Sequence, residues 1–510
     1  MNKLNIFFSK SSSTKFSIIL FSRVIATIIN IVFVPIYVKL IGVESYGLVA
    51  FYSTLCGSLA ILDMGLGTAI SRQVSVLATQ PNSKKKVVDL VLSVEIIYWI
   101  LAAMAGIIII LLASPIAHHW IKAKDLSIHT ISNSIMLMGG IFACSFPASI
   151  YTGVLNSLNL QLPNAYINIV AALLKATGVI MVLKYISSSI ECYFMWQIII
   201  SFFITIIMRG FTWHVLKRGS LKTKARFSVT QLQTIGKFAA GITGISLITF
   251  FLAQIDKIVV SKYVTLDFVG YYGLAFTVAG AITQVIAPLN SILFPKFATL
   301  AAQNKQDELV SLYHKSCRWI SIIVLPIGFT IILFAPQILL LWTHNSVLTN
   351  NTAPILQVCA AGTICNCLMW IPYWYMLAKG ITKFTIYQNI IASVILVPLL
   401  FWWVNKYGAL GASFVWLTVN AGYVLFTIPV FHSLYLKGEL KYWYTKDTLY
   451  PLLIVSALAV IFKCLQIQYL QEIKLIPLAA LLFTAGCSYI LLMPELRKFF
   501  IRKYKLFINK

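Results

Sequence analysis

Along the chain, long apolar runs alternate with short polar breaks, and the runs set the architecture. Fourteen of them fall near residues 16–38, 45–70, 87–113, 131–157, 163–184, 190–212, 235–261, 267–294, 317–341, 353–378, 382–404, 408–431, 448–466 and 473–493. At about 1.5 Å per residue, a helix of about 20 residues crosses a hydrocarbon core about 30 Å thick. The runs are too long for the alternating strands of about ten residues that build a membrane barrel. They predict an all-α polytopic membrane protein with about 14 transmembrane helices. Pro35, Pro147, Pro288, Pro326, Pro372, Pro398 and Pro429 lie inside these spans, where each removes a backbone donor and allows a kink. Proline is also common in membrane helices that serve no hinge.

The pattern repeats. Residues 37–51 read YVKLIGVESYGLVAF, and residues 254–276 read QIDKIVVSKYVTLDFVGYYGLAF. Each carries a lysine (Lys39, Lys262), then an acid (Glu44, Asp267), then Tyr-Gly-Leu starting at Tyr46 and Tyr272. A second echo pairs Tyr166-Ile-Asn168-Ile-Val-Ala171 with Tyr387-Gln-Asn389-Ile-Ile-Ala392. Both lie roughly 220 residues apart, the signature of an internal duplication. It divides the chain into an N-lobe at 1–212 (spans one to six), a basic cytoplasmic linker at 213–234 and a C-lobe at 235–432 (spans seven to twelve). Residues 433–510 then hold spans thirteen and fourteen and a basic tail. Thr230 and Gln233 form a capping box at the start of span seven. Six spans per lobe give both lobes one orientation, related by an axis along the membrane normal.

Composition agrees with this class and narrows it. The chain is 59% hydrophobic and 11% charged, with mean hydropathy +0.87, against about 25% charged in soluble domains. Cytoplasmic loops collect lysine and arginine. Placing the N-terminus inside puts Lys3, Lys10, Lys15, Arg72 and Lys84 to Lys86 there, with the 6-to-7 connection (Arg209, Lys217, Arg218, Lys222, Lys224, Arg226, Lys237). Both termini are therefore expected in the cytoplasm. A net charge of +26 spread over short loops, without a recognition module, points to anionic membrane lipids and to no nucleic acid. The nine cysteines are scattered, and Cys365-x-Cys367 has no second pair, so neither a disulfide framework nor a metal site is expected. HExxH, GxSxG and Walker patterns are absent. No enzyme signature is thus in view and no cofactor is expected; without an ATP site, any pumping must draw on an H+ or Na+ gradient or on substrate supply.

Chemistry then rests on polar groups at membrane depth. Arg23, Thr27 and Asn30 are spaced four and three apart, on one face of span one. Asp63 falls at a similar depth in span two, within reach of an ion pair with Arg23, and Glu95 in span three joins that layer. Asn164, Asn168 and Lys175 form one stripe on span five. Ionisable groups at such depth face protein or a water-filled cavity and are functional candidates. Three readings overlap. The charges are a buried cluster holding spans one to three together; or Arg23 and Lys175 are cavity cations for an anionic substrate; or Asp63 or Glu95 binds a coupling ion. The C-lobe offers neutral groups instead: Thr277, Gln284, Asn366, Gln388, Asn389, Asn420 and Thr427. These suit sugar hydroxyls and suit helix-to-helix hydrogen bonds equally. Interior charge is thus expected mainly in the N-lobe.

Three stretches carry a family resemblance: SRVIATIINIVFVPIYVKLIGVESYGLVAF from Ser22 to Phe51, LDMGLGTAISR from Leu62 to Arg72, and QIDKIVVSKY followed by YYGLAF. Together they resemble the Wzx-type O-antigen and polysaccharide flippases of the multidrug/oligosaccharidyl-lipid/polysaccharide (MOP) exporter superfamily. The resemblance implies a MATE-like fold, two six-helix lobes around a V-shaped central cavity, plus a C-terminal helix pair. It implies a substrate, an undecaprenyl-pyrophosphate-linked oligosaccharide, moved by alternating access from the inner to the outer leaflet of a bacterial cytoplasmic membrane, with cation coupling. Other polysaccharide-assembly membrane proteins are the partners it suggests. Spans thirteen and fourteen would offer a groove for the polyprenyl tail, as in the lipid II flippases, or a packing surface. Lipid II or drug export by the same fold remains an alternative. A membrane glycosyltransferase or O-antigen polymerase is the alternative of another class, and would need a large soluble loop or catalytic constellation.

Overall fold

The computed structural model describes residues 29, 31–63, 66–78, 83–158, 160–217, 225–230, 232–233, 251, 254–469, 479 and 483. Among these, structure is helical apart from a single bridge between Lys122 and Thr265. Among the described residues, eleven helices are long and apolar enough to cross a membrane, and they match, in order, expected spans two to six and eight to thirteen. The other three expected spans lie wholly or largely outside the described residues. The chain divides into two compact units, Met1–Gly270 and Tyr271–Lys510.

In the first unit α1 is Ile31–Ile41, α2 Val43–Leu59, α3 Leu66–Ala78, α4 Lys84–His119, α5 Ile128–Ser145, α6 Ala148–Ser157, α7 Gln161–Tyr185 and α8 Ile190–Lys217; α9 is 254–263. The 36 residues of α4 measure about 54 Å, so its ends project beyond a hydrocarbon core of about 30 Å. One stripe of α4 (Ile100, Met104, Ile107, Leu111) is exposed, while Tyr98, Ala102, Ala105, Ile109 and Ala113 are buried. Small residues on the buried stripe bring α5 close: a Cβ on Gly106 would lie 2.9 Å from that of Ala143, and one on Gly139 3.0 Å from the Gly106 carbonyl. Such close approach is what holds helices together in lipid, where apolar surface alone gives no preference for protein over hydrocarbon chains.

Two spans of this unit are broken. Span two splits into α2, a 3-10 turn at Ala60–Asp63 and α3. Span four splits at Phe146 and Pro147 into α5 and α6. The short halves α3 and α6 pack on each other, with Ser71 Oγ donating to the Gly153 carbonyl at 3.1 Å.

The duplicated segments meet one loop. α10, Leu266–Ala302, begins within the first unit, and its start crosses the start of α2. A Cβ on Gly47 would sit 2.0 Å from the Leu266 carbonyl oxygen, and one on Gly270 3.0 Å from that of Val43. Glu44 accepts the backbone N–H groups of Lys124 and, at 2.9 Å, Asp125. Asp267 accepts Lys124 Nζ at 2.9 Å.

The second unit continues with α11 Gln306–Thr343, α12 Ser346–Leu368, α13 Trp370–Ala378, α14 Thr382–Tyr407, α15 Ala409–Gly422, α16 Ile428–Tyr435 and α17 Tyr450–Tyr469. α11 packs on α12 and α17, and α12 on α15. Its kink is at Phe334 (φ −115°, ψ 20°), two residues before Pro336. Between α15 and α16 the chain makes a π turn, Tyr423–Thr427. Pro429 cannot donate to the carbonyl of Leu425, so the ladder slips register there. Tyr444 Oη takes up the Val424 carbonyl at 2.6 Å.

Candidate functional site

Glu95 is the hub of the first unit. Its carboxylate is 2% exposed and accepts hydrogen bonds from two neighbouring helices. Tyr151 Oη on α6 donates to Oε1 at 2.8 Å, Arg209 Nε on α8 donates to the same oxygen, and Trp213 Nε1 donates to Oε2 at 2.8 Å. Arg209 and Trp213 are one turn apart, so a single face of α8 supplies both. Trp99 Nε1 donates in turn to Tyr151 Oη at 3.2 Å. A cavity of about 460 Å³ opens beside this hub, lined by Ile96, Trp99, Ile100 and Ile206 as well as Glu95 and Arg209. Arg209, read in the sequence as part of the 6-to-7 connection, belongs instead to α8, because that helix runs on to Lys217.

One turn along α4, Tyr98 Oη donates to Asp63 Oδ1. The other oxygen of Asp63 accepts the Gly67 N–H at 3.4 Å, so this carboxylate caps the start of α3. The Tyr98 ring stacks on Phe146 at 5.1 Å, at the break between α5 and α6. The two acids thus secure the joints of both broken helices to α4. Arg23, Thr27 and Asn30 lie outside the described residues.

Lys175 stands apart from this layer. It is half-buried on α7, near the thiol of Cys56 on α2, and no acid lies in ion-pair range among the described residues. Aromatic hydroxyls surround this part of the unit. Tyr37 Oη donates to the carbonyl of Ala176 at 3.3 Å, its ring packs edge-on against Tyr193 at 5.6 Å, and Tyr52 packs against Phe194 at 6.0 Å. The Trp196 ring presses against Gly178, and its Nε1 fixes α7 to α8 by donating to the Leu174 carbonyl at 3.0 Å. Asn164 is buried and bonded to Asn156 at 3.2 Å, while Asn168 is exposed and donates to Asn164 at 3.3 Å.

In the second unit Gln284 is exposed. Asn389 accepts from Tyr423 Oη at 3.4 Å. Asn420, 1% exposed, accepts from Asn366 at 2.8 Å and donates to the Trp416 carbonyl at 2.7 Å. Its bonding capacity goes into joining α12 to α15. A buried acid also lies beyond both expected lobes: Asp447 is fully buried in the second unit, beside His314 and Arg318. The sequence reading missed it because His314, Arg318 and Asp447 all fall at predicted span edges, where solvated charge is usual.

The family model for "Polysaccharide biosynthesis protein" matches residues 13–301. A Shigella flexneri protein provisionally assigned as an O-antigen transporter is 21% identical over 414 residues, covering 78% of this chain and 92% of that protein. Among solved structures, the lipid II flippase MurJ in an inward closed conformation is similar with a TM-score of 0.68 at 16% identity, covering 95% of this chain and 99% of that one. An inward-facing multidrug resistance transporter of the MATE family has a TM-score of 0.65 at 15% identity, covering 81% and 96%. These likenesses show a fold like that of MurJ and the MATE-family transporter. With more than half of its length matched by the family model, the chain belongs to the polysaccharide biosynthesis protein family.

Proposed function

We propose that this membrane protein is a Wzx-type flippase that carries an oligosaccharide linked to undecaprenyl pyrophosphate from the inner to the outer leaflet of a bacterial cytoplasmic membrane, with both of its termini in the cytoplasm. Family membership and the alignment along nearly the whole Shigella relative support a polysaccharide-related transporter. The observation that carries the reading further is Lys175, a half-buried cation on an apolar helix with no acid in ion-pair range among the described residues. An unneutralised ammonium at membrane depth is costly, and an anionic substrate offsets that cost. In this reading Lys175 and Arg23 hold the pyrophosphate, the hydroxyls of Tyr52 and Tyr193 complete its shell, and Asn168 meets sugar hydroxyls. Asp63 and Glu95 act as joints, their charge already engaged by neighbouring donors. An H+ or Na+ gradient drives the cycle.

The test is surface polysaccharide in cells whose own flippase is deleted, scored per molecule of protein in the membrane. A charge-assisted hydrogen bond is worth about 1.5–3 kcal/mol, so Lys175→Ala is expected to lower export about 10- to 100-fold. Lys175→Arg should retain much of it and Lys175→Gln little. Wild-type export by Lys175→Ala sinks the cationic site. Rescue of cells lacking their lipid II flippase, without rescue of O-antigen display, would move the substrate assignment to lipid II.

A further inference from the structure

The charge cluster of the second unit takes no part in the proposed substrate site. On α11, His314 lies one turn before Arg318. Facing them is the segment between α16 and α17, which carries Glu439, Tyr442 and Asp447. His314 Nδ1 meets Asp447 Oδ2, and its Nε2 meets Glu439 Oε2 at 3.0 Å. Arg318 reaches the other oxygen of Asp447 at 3.3 Å and donates to Tyr442 Oη at 2.9 Å. The Tyr442 ring stands edge-on to His314 at 4.6 Å. Ser321 Oγ donates to the Asp447 carbonyl at 2.7 Å. Asp447 has no exposed side-chain surface, His314 has 10% and Glu439 36%.

The arrangement specifies a proton. A neutral imidazole donates from one nitrogen only, whereas both nitrogens of His314 point at carboxylate oxygens, which accept and do not donate. With the proton, two cations face two anions; without it, a nitrogen lone pair faces Glu439 and the group carries a net negative charge. His432, on α16 and packed against the same face, is wired the other way. Its Nδ1 donates to the Ile428 carbonyl at 2.9 Å and its Nε2 accepts from Tyr313 Oη at 3.2 Å, which a neutral ring satisfies completely. The titratable and charged groups around His314 are therefore Asp447, Glu439 and Tyr442 from the facing segment, His432 from α16, and Arg318 and Tyr313 from its own helix.

We propose that His314, Glu439 and Asp447 form a binding site for one proton, and that this proton fastens the segment leading into α17 onto α11. Loss of the proton sets the imidazole against Glu439, the more exposed acid, and frees that segment. The site thereby couples the seating of α17 to the pH of the aqueous face it borders.

Cys317, 5% exposed, shares the buried face with Trp443 and Asp447 and reports on the fastening. In the full-length protein with every other cysteine replaced, the rate of Cys317 alkylation is measured at each pH and divided by the rate for the same chain unfolded in SDS, which removes the intrinsic reactivity of the thiol. Histidine is the side chain whose charge responds to pH most readily, so the normalised rate is expected to rise about tenfold or more from the acid to the alkaline end of the series. Glu439→Gln discriminates. The glutamine amide donates to Nε2 of a neutral His314 while Nδ1–H still bonds Asp447, so this variant is expected to stay slow at every pH. A flat wild-type profile overturns the proposal. So does a Glu439→Gln profile that tracks the wild type or is fast throughout.

Discussion

Replacing Glu95 by glutamine keeps the volume and one acceptor oxygen but removes the charge on which Tyr151, Arg209 and Trp213 converge. Hydrogen bonds to a charged group contribute about 1.5–3 kcal/mol each, and a buried donor left without a partner costs about 1–3 kcal/mol. The share of Arg209 is discounted, since its side chain is 49% exposed and such pairs contribute about 0–1 kcal/mol. The substituted side chain can still accept from two donors through its oxygen, and its amide opposes the third. The expected loss is about 2–4 kcal/mol, the weakening of two charge-assisted bonds and one unsatisfied donor. The assay is denaturant unfolding in detergent micelles, run as a double-mutant cycle with Tyr151→Phe. Coupling of at least about 1 kcal/mol is expected between residues sharing a hydrogen bond. Transport per folded molecule should persist, because a carboxylate held by three donors is a structural joint. The reasoning is refuted if Glu95→Gln is within about 0.5 kcal/mol of wild type, the range of an ordinary surface substitution. It is equally refuted if stability holds while transport vanishes.

Further outcomes follow from single contacts. Gly47→Ala places a methyl 2.0 Å from the Leu266 carbonyl oxygen, so the α2 and α10 starts must separate; folded protein recovered from membranes should fall sharply, while Gly210→Ala, with nothing within 4 Å, should leave the yield unchanged. Asn345 accepts the Leu348 N–H at 3.0 Å as the N-cap of α12, and Asn345→Ala should cost about 1 kcal/mol in unfolding experiments, with Asn345→Ser recovering most of it.

Hydrophobic run length reveals the helices well, because crossing lipid demands about 20 apolar residues whatever the tertiary contacts. Breaks are harder. Pro147 does mark one, but the break at Ala60–Asp63 has no proline, and Asp63 there accepts from Tyr98, which lies far along the chain on another helix. The proline signal also misplaces a kink, since α11 bends beside Pro336 rather than at Pro326. At the hub, Glu95 is legible as an acid in an apolar run. Its partners are not: Tyr151 and Trp213 look like ordinary aromatic residues of a membrane helix, and Arg209 looks like a loop charge. Helix register alone puts Asn164, Asn168 and Lys175 on one stripe, yet burial separates Asn164 from Asn168 because α6 folds back over the start of α7.

Glu44 and Asp267 occupy matching places in the duplicated segments, and the loop near Lys124 has drawn them into different work. One acid holds backbone N–H groups; the other holds a lysine side chain. Backbone donors survive any substitution in the loop except proline, whereas the second contact vanishes with Lys124. The two copies have therefore diverged in mutational tolerance: Glu44 is free of its partner's side-chain identity, and Asp267 is tied to it. Among relatives, position 267 should change together with position 124, while position 44 should remain acidic regardless of either.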